Sequence, residues 1–194
     1  MFEFWRAVTE QPLAQNAVFA ALLVSMTCGI VGTYVVVRRI TYIAAGVAHC
    51  VLGGMGAARY LQVVHGWEFF HPIYGALIAA LAAAFVIGWM SLSNREREDS
   101  AISAVWSVGM ASGVLFIYAT PGYSQDLMGY LFGNILLVTR QHLYFMAGLN
   151  VLILVMVMCW YDKFQLICFD EEFARTRNVN VSLFYILLLG LTAL

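Results

Sequence analysis

An imidazole set within a long apolar run is the first place in this sequence where chemistry could occur. His49 stands in the stretch Gly46-Val47-Ala48-His49-Cys50-Val51-Leu52-Gly53-Gly54-Met55-Gly56. At about 100° per residue, Gly46, His49, Gly53 and Gly56 share one helix face. Small residues on an apolar helix let a neighbouring backbone approach closely, so this histidine faces protein or a cavity rather than lipid. Ionisable groups inside a membrane are costly and mark functional positions. Neutral imidazole is also a ligand for zinc, manganese and iron. Two readings stay open: a ligand for a passing cation, or a neutral histidine hydrogen-bonded between helices.

The most informative polar stretch is 162–178. Asp170, Glu171 and Glu172 come first and Arg175 and Arg177 last, an order that suits the dipole of a short helix. Phe173 and Ala174 sit among those charges as a knob for a partner's groove. The plainer reading is a solvated loop with one helical turn. Further along the apolar runs, Gly109 and Gly113 make a GxxxG pair that favours close helix packing. His65, Glu68 and His71 fall together in a connection, where they could attract a cation or simply be solvated. Asp99, beside Arg95, Glu96, Arg97 and Glu98, belongs to a charged turn.

No catalytic signature accompanies these groups. There is no phosphate-binding lysine motif, no nucleophile elbow, no HExxH and no carboxylate pair within an apolar run, so the chain is not expected to be an enzyme. The four cysteines form no CxxC pair and read as small hydrophobes.

The elements that hold these residues follow from composition. Hydrophobic residues make up 62% of the 194 and charged residues 11%. A water-facing globule usually carries about 25% charged residues, so lipid is the outer solvent here. A net charge of −1 gives no electrostatic case for nucleic acid.

A helix crossing the hydrocarbon core needs about 20 apolar residues. Such runs extend over 11–37, 40–64, from Pro72 towards Arg95, over 101–120 and over 143–161; a sixth begins near Val181 and is apolar to Leu194, as if truncated. Alternation of period two is absent. The fold class is therefore all-α, a polytopic transmembrane bundle of about six spans forming a single domain over 1–194. Glu3, Arg6 and Glu10 lack the basic start of a cleaved signal, so the first span is expected to stay. Arg38 and Arg39, Arg95 and Arg97, then Lys163, Arg175 and Arg177 fall in alternate connections on one side. The positive-inside bias then puts the N-terminus outside. The segment 121–134, too apolar for a free loop, reads as a short helix at the outer interface.

Several of these stretches occur together in a known order. Arg38-Arg39-Ile40-Thr41-Tyr42 is followed by Ala48-His49, then Asp99-Ser100-Ala101-Ile102, then Asp126-Leu127-Met128-Gly129-Tyr130-Leu131-Phe132-Gly133-Asn134, then Asp170-Glu171-Glu172-Phe173-Ala174. The whole chain resembles the permease subunit of the metal-ion ABC importers, which take up zinc, manganese or iron. That resemblance implies a paired permease in the inner membrane, cytoplasmic ATP-binding subunits that hydrolyse ATP, and an external metal-binding protein that delivers the ion.

It implies no permanently bound cofactor; the divalent metal ion is cargo. It makes Asp170, Glu171, Glu172, Phe173, Ala174 and Arg175 the coupling helix, within a cytoplasmic segment of about 162–180, and places His49 on the ion path. Members often carry an aspartate four residues before the histidine, where this chain has Ala45. A self-contained secondary transporter or channel is the alternative, and it would want more ionisable groups within the spans than His49 and the peripheral Arg59.

Overall fold

Uncharged runs in lipid can satisfy their backbone only by coiling on themselves. The computed structural model, which describes residues 11–67, 69–93, 98–121 and 138–194, places a helix on each of them. In chain order these are α1 (Pro12–Val37), α2 (Thr41–Val64), α3 (Pro72–Ser93), α4 (Glu98–Ala119), α5 (Arg140–Cys159), α6 (Tyr161–Phe169), α7 (Glu171–Thr176) and α8 (Val181–Ala193). Among them α1 to α5 are long and apolar enough to cross a membrane, and α8 is a shorter apolar helix. The chain is a multi-pass helical membrane protein.

The bundle is organised around α2. It packs on α4 along one face and on α3 along another, α8 lies against α3, and α1 pairs with α5. The α2–α4 crossing is close because glycines face backbone. A methyl group added at Gly53 would meet the Gly109 carbonyl oxygen at 2.8 Å, and one at Gly109 would meet the Cys50 Cα at 2.7 Å. Gly56 lies 2.9 Å, on the same measure, from the Gly113 carbonyl oxygen. Gly46 lies over Ile102. The α2–α3 crossing is tighter still, with Gly54 and Gly75 backbone to backbone. By contrast, α1 shows much of its surface, with Phe19, Leu22 and Val24 exposed. Such a surface suits lipid, which is as apolar as the side chains.

The end of α1 is capped by backbone hydrogen bonds. Arg39 takes φ 60°, a left-handed conformation usually filled by glycine. Its N–H donates to the Val36 carbonyl at 3.1 Å, and the Ile40 N–H donates to the Val35 carbonyl at 3.0 Å. Ile40 and Val35 are both buried, so an apolar contact closes the cap. A side chain in that backbone region costs roughly 1–2 kcal/mol. Arg39→Gly is therefore expected to stabilise the chain by about 1 kcal/mol, seen as a raised midpoint of thermal unfolding in detergent. An unchanged or lowered midpoint would show that the guanidinium itself stabilises this turn by as much as the backbone strain costs.

One element differs from the sequence reading. Residues 162–169 form helix α6 rather than loop, because Phe164 and Ile167 lie one turn apart and are fully buried. The expected interface helix over 121–134 lies outside the described residues except for Pro121, as do Glu3, Arg6, Glu10, Glu68, Arg95, Glu96 and Arg97.

Candidate functional site

The polar end of the bundle is built on a bend at Trp160, where α5 stops and α6 turns away. At Asp170 the chain becomes extended and α7 begins. The Asp170 side chain accepts from the Phe173 N–H at 2.9 Å, a cap that satisfies one of the free donors at the start of the helix. Glu171 and Glu172 stand in the first turn and Arg175 in the last, each complementing the helix dipole. The helix ends as α1 does. Asn178 takes φ 56°, its N–H donates to the Arg175 carbonyl at 3.0 Å, and the Val179 N–H donates to the Ala174 carbonyl at 3.1 Å.

The two residues read together as a knob are parted by the helix. Phe173 is 45% exposed, with the Arg177 guanidinium 5.3 Å from its ring centroid, whereas Ala174 is fully buried. The two point about 100° apart on the helix, which turns Phe173 outward while Ala174 packs inward. Phe173 is the exposed apolar feature of α7, and Ala174 seats the helix on the bundle.

An ion pair ties α7 to the first connection. Arg38, the cap residue of α1, reaches the Glu171 carboxylate, and both side chains are largely buried. The same guanidinium lies 5.4 Å from the Tyr185 ring centroid on α8, and the Tyr185 hydroxyl meets the Ser91 hydroxyl of α3 at 3.2 Å. Parts of α1, α3, α7 and α8 thus meet through one arginine. These groups line a cavity of about 340 Å³ together with Arg39, Tyr42 and Asp99. On α6, burial pushes the Cys168 thiol up, partly offset by the Arg38 charge.

His49 lies on the α4 side of α2, half-buried. Its ring stacks on Trp106 with centroids 4.4 Å apart and planes 12° from parallel. The Trp106 indole N–H donates to the Met110 sulfur at 3.1 Å, and the Tyr42 ring lies 6.1 Å from the indole. No group of three or more His, Cys, Asp or Glu side chains that could hold a metal ion occurs among the described residues. The imidazole therefore offers a single ligand, backed by an aromatic face.

Two further polar features carried no signal that the sequence reading used. Asn150 of α5 is buried, accepts from the Thr27 hydroxyl of α1, and donates to the Met146 carbonyl at 3.3 Å. An asparagine inside an apolar run was the available clue. Trp106 gave none, since a tryptophan in a span reads equally as lipid-facing.

The chain is similar to several known proteins. A probable metal transport system membrane protein of Chlamydia pneumoniae is 42% identical over 175 residues, covering 90% of this chain and 59% of that protein. A manganese transport system membrane protein, MntC, of Halalkalibacterium halodurans is 32% identical over 180 residues, covering 93% of this chain and 59% of the relative. The solved structure of PsaBC from Streptococcus pneumoniae in complex with Fab matches with a TM-score of 0.81 at 27% identity, over 98% of this chain and 66% of that one. The chain thus spans about six tenths of the length of these relatives. Its residues 10–194 match the model of the ABC 3 transport family, and the chain belongs to that family.

Proposed function

We propose that this chain is the membrane-spanning part of an ATP-driven importer of divalent transition-metal ions, zinc, manganese or iron. Manganese has the strongest support among the three, being the ion in the name of the Halalkalibacterium relative. Hydrolysis takes place in separate cytoplasmic ATP-binding subunits. A metal-binding protein outside the membrane delivers the ion, and the permease works as a pair in the inner membrane with its N-terminus outside. No cofactor is held permanently; the ion is cargo. Asp170, Glu171, Glu172, Phe173 and Arg175 form the coupling helix, with Ala174 as its seat.

The observation that carries the proposal is the build of α7. A six-residue helix capped at both ends, latched through Glu171 to Arg38 and showing an apolar ring, is a rigid lever. A solvated loop would need neither the latch nor the exposed phenyl. Movement of α7 reaches α1, α3 and α8 through Arg38, Tyr185 and Ser91.

The test has two readouts. Cells expressing the permease with its ATP-binding partner should accumulate manganese or zinc, and cells expressing it alone should not. Equal uptake in both would favour a self-contained transporter. Phe173→Asp should lose the partner in co-purification while the permease still inserts. Placing an unpaired carboxylate in a tight contact costs at least about 2 kcal/mol, or some thirtyfold in affinity. Phe173 is exposed rather than part of the core, so the fold should be spared. Undiminished co-purification would remove Phe173 from the contact.

A further inference from the structure

We propose that His71 and His142 form a two-imidazole site for a divalent transition-metal ion, at the end of the bundle opposite the α7 bend. As an entry station for the cargo, the site rests on the function proposed above; as a binding site it stands by itself. Both histidines line one cavity of about 270 Å³, with Tyr74, Gln141, Ile73 and Phe145 as the rest of its wall. They come from segments far apart in sequence, the connection before α3 and the first turn of α5.

Their backbones are held by hydrogen bonds. The His71 N–H donates to the Phe69 carbonyl at 3.1 Å, and its own carbonyl accepts from the Tyr74 N–H at 2.9 Å, ahead of Pro72. The His142 N–H donates to the Thr139 hydroxyl, which caps α5. One residue earlier, the Val138 carbonyl accepts from the Asn16 side-chain amide at 3.0 Å, tying the start of α5 to α1. The His71 side chain is exposed and that of His142 half-buried, so both are open to an arriving ion.

The donor chemistry suits a borderline metal. Neutral imidazole takes zinc, iron, nickel and copper well and manganese more weakly. The Nδ1 of His71 accepts from the Ile73 N–H at 3.4 Å, a long contact that a metal ion at that nitrogen displaces easily. The Gln141 amide oxygen is a third possible donor. Since a water occupies about 30 Å³ in the liquid, the cavity has room for an ion that keeps several waters. The N-terminal ends of α3 and α5 both lie here, and their partial positive charge opposes a cation. Two ligands against that field give weak binding, which favours release over retention.

The test uses the full chain in detergent, carrying a tag without histidine, and the metals alone as probes. Carbethoxylation of each histidine is followed by mass spectrometry with and without Zn²⁺, then Mn²⁺. Zn²⁺ is expected to slow modification of His71 and His142 together, by threefold or more, and to leave His65 unaffected, since its ring sits against Tyr60. His142→Ala should abolish the protection of His71, and His71→Ala that of His142. Absent protection, protection of one ring that survives loss of the other, or protection by inorganic phosphate in place of Zn²⁺ would overturn the site. In cells, His71→Ala should raise the metal concentration for half-maximal uptake severalfold with the maximal rate unchanged; an unchanged half-maximal concentration would overturn the entry role. Should the parent chain itself transport no metal, the proposed function fails while the protection assay still decides the site.

Discussion

Gly54→Leu is expected to leave little folded protein, and Gly75→Leu should do the same. A side chain at either position is driven into the facing backbone. At Gly54 the first added carbon collides with the Gly75 carbonyl oxygen and the Ala79 methyl; at Gly75 it collides with the Gly54 carbonyl oxygen and the Ala58 methyl. A flexible side chain could swing aside, but two helix backbones can only move apart. Overpacking a core typically costs about 1–3 kcal/mol where neighbours yield, so a backbone collision should exceed that range. Parting α2 from α3 also disturbs α8, which packs on α3.

The comparison variant is Gly32→Leu on α1, where an added carbon meets nothing within 4 Å. It should be tolerated, or gain up to about 1 kcal/mol from better helix propensity. Monodisperse elution in mild detergent and the thermal midpoint of tryptophan fluorescence read all three. If Gly54→Leu elutes and melts like the parent, the crossing is not where the helices touch.

The second large effect concerns transport. His49→Leu should reduce metal uptake at least tenfold with membrane insertion and partner docking intact. Leucine keeps an apolar surface against Trp106, so the fold is spared, but it cannot ligate. His49 lies eight residues into α2, about 12 Å along the helix and well inside a hydrocarbon core of about 30 Å. A lone imidazole binds an ion weakly, and weak binding suits transit. Ala45→Asp, one turn earlier, should strengthen retention and shift preference towards harder ions such as manganese. His49→Asn separates the two readings of this residue: it keeps a hydrogen-bonding group but is a poor metal ligand. Normal uptake by both the asparagine and the leucine variants would take His49 off the ion path.

What could be read in the sequence depended on whether a signal repeats. The apolar runs of α1 to α5 repeat their character over about 20 residues, so their ends were legible to within a few positions. Gly46, Gly53 and Gly56 share a helical period, as do Gly109 and Gly113, and period alone marks a face for close packing. Gly54 and Gly75 escaped because the companion of each, Ala58 and Ala79, is an alanine four residues on rather than a second glycine, and Gly54 is masked by its neighbour Gly53. In α6 six of the nine residues are apolar, but Asp162, Lys163 and the charges that follow from Asp170 made the stretch read as loop; burial of Phe164 and Ile167 makes it helix.

The ion pair of Arg38 with Glu171 joins residues 133 positions apart, and no local pattern announces such a contact. The same distance hid the neighbours of His49. A glycine-lined face said that something would approach, but not that it would be an indole.

The tight crossings have an implication for how the chain is made. Every backbone-to-backbone approach described above, from Gly53 against Gly109 to Gly54 against Gly75, lies within one contiguous stretch. A ribosome that has released α4 into the bilayer has already supplied both partners of each. The α2–α3–α4 trio can therefore assemble co-translationally, while α5 to α8 are still being synthesised, and serve as the template on which α8 later docks. A defect at Gly54 or Gly75 would then strike at that early trio, before the segment carrying Phe173 has left the ribosome.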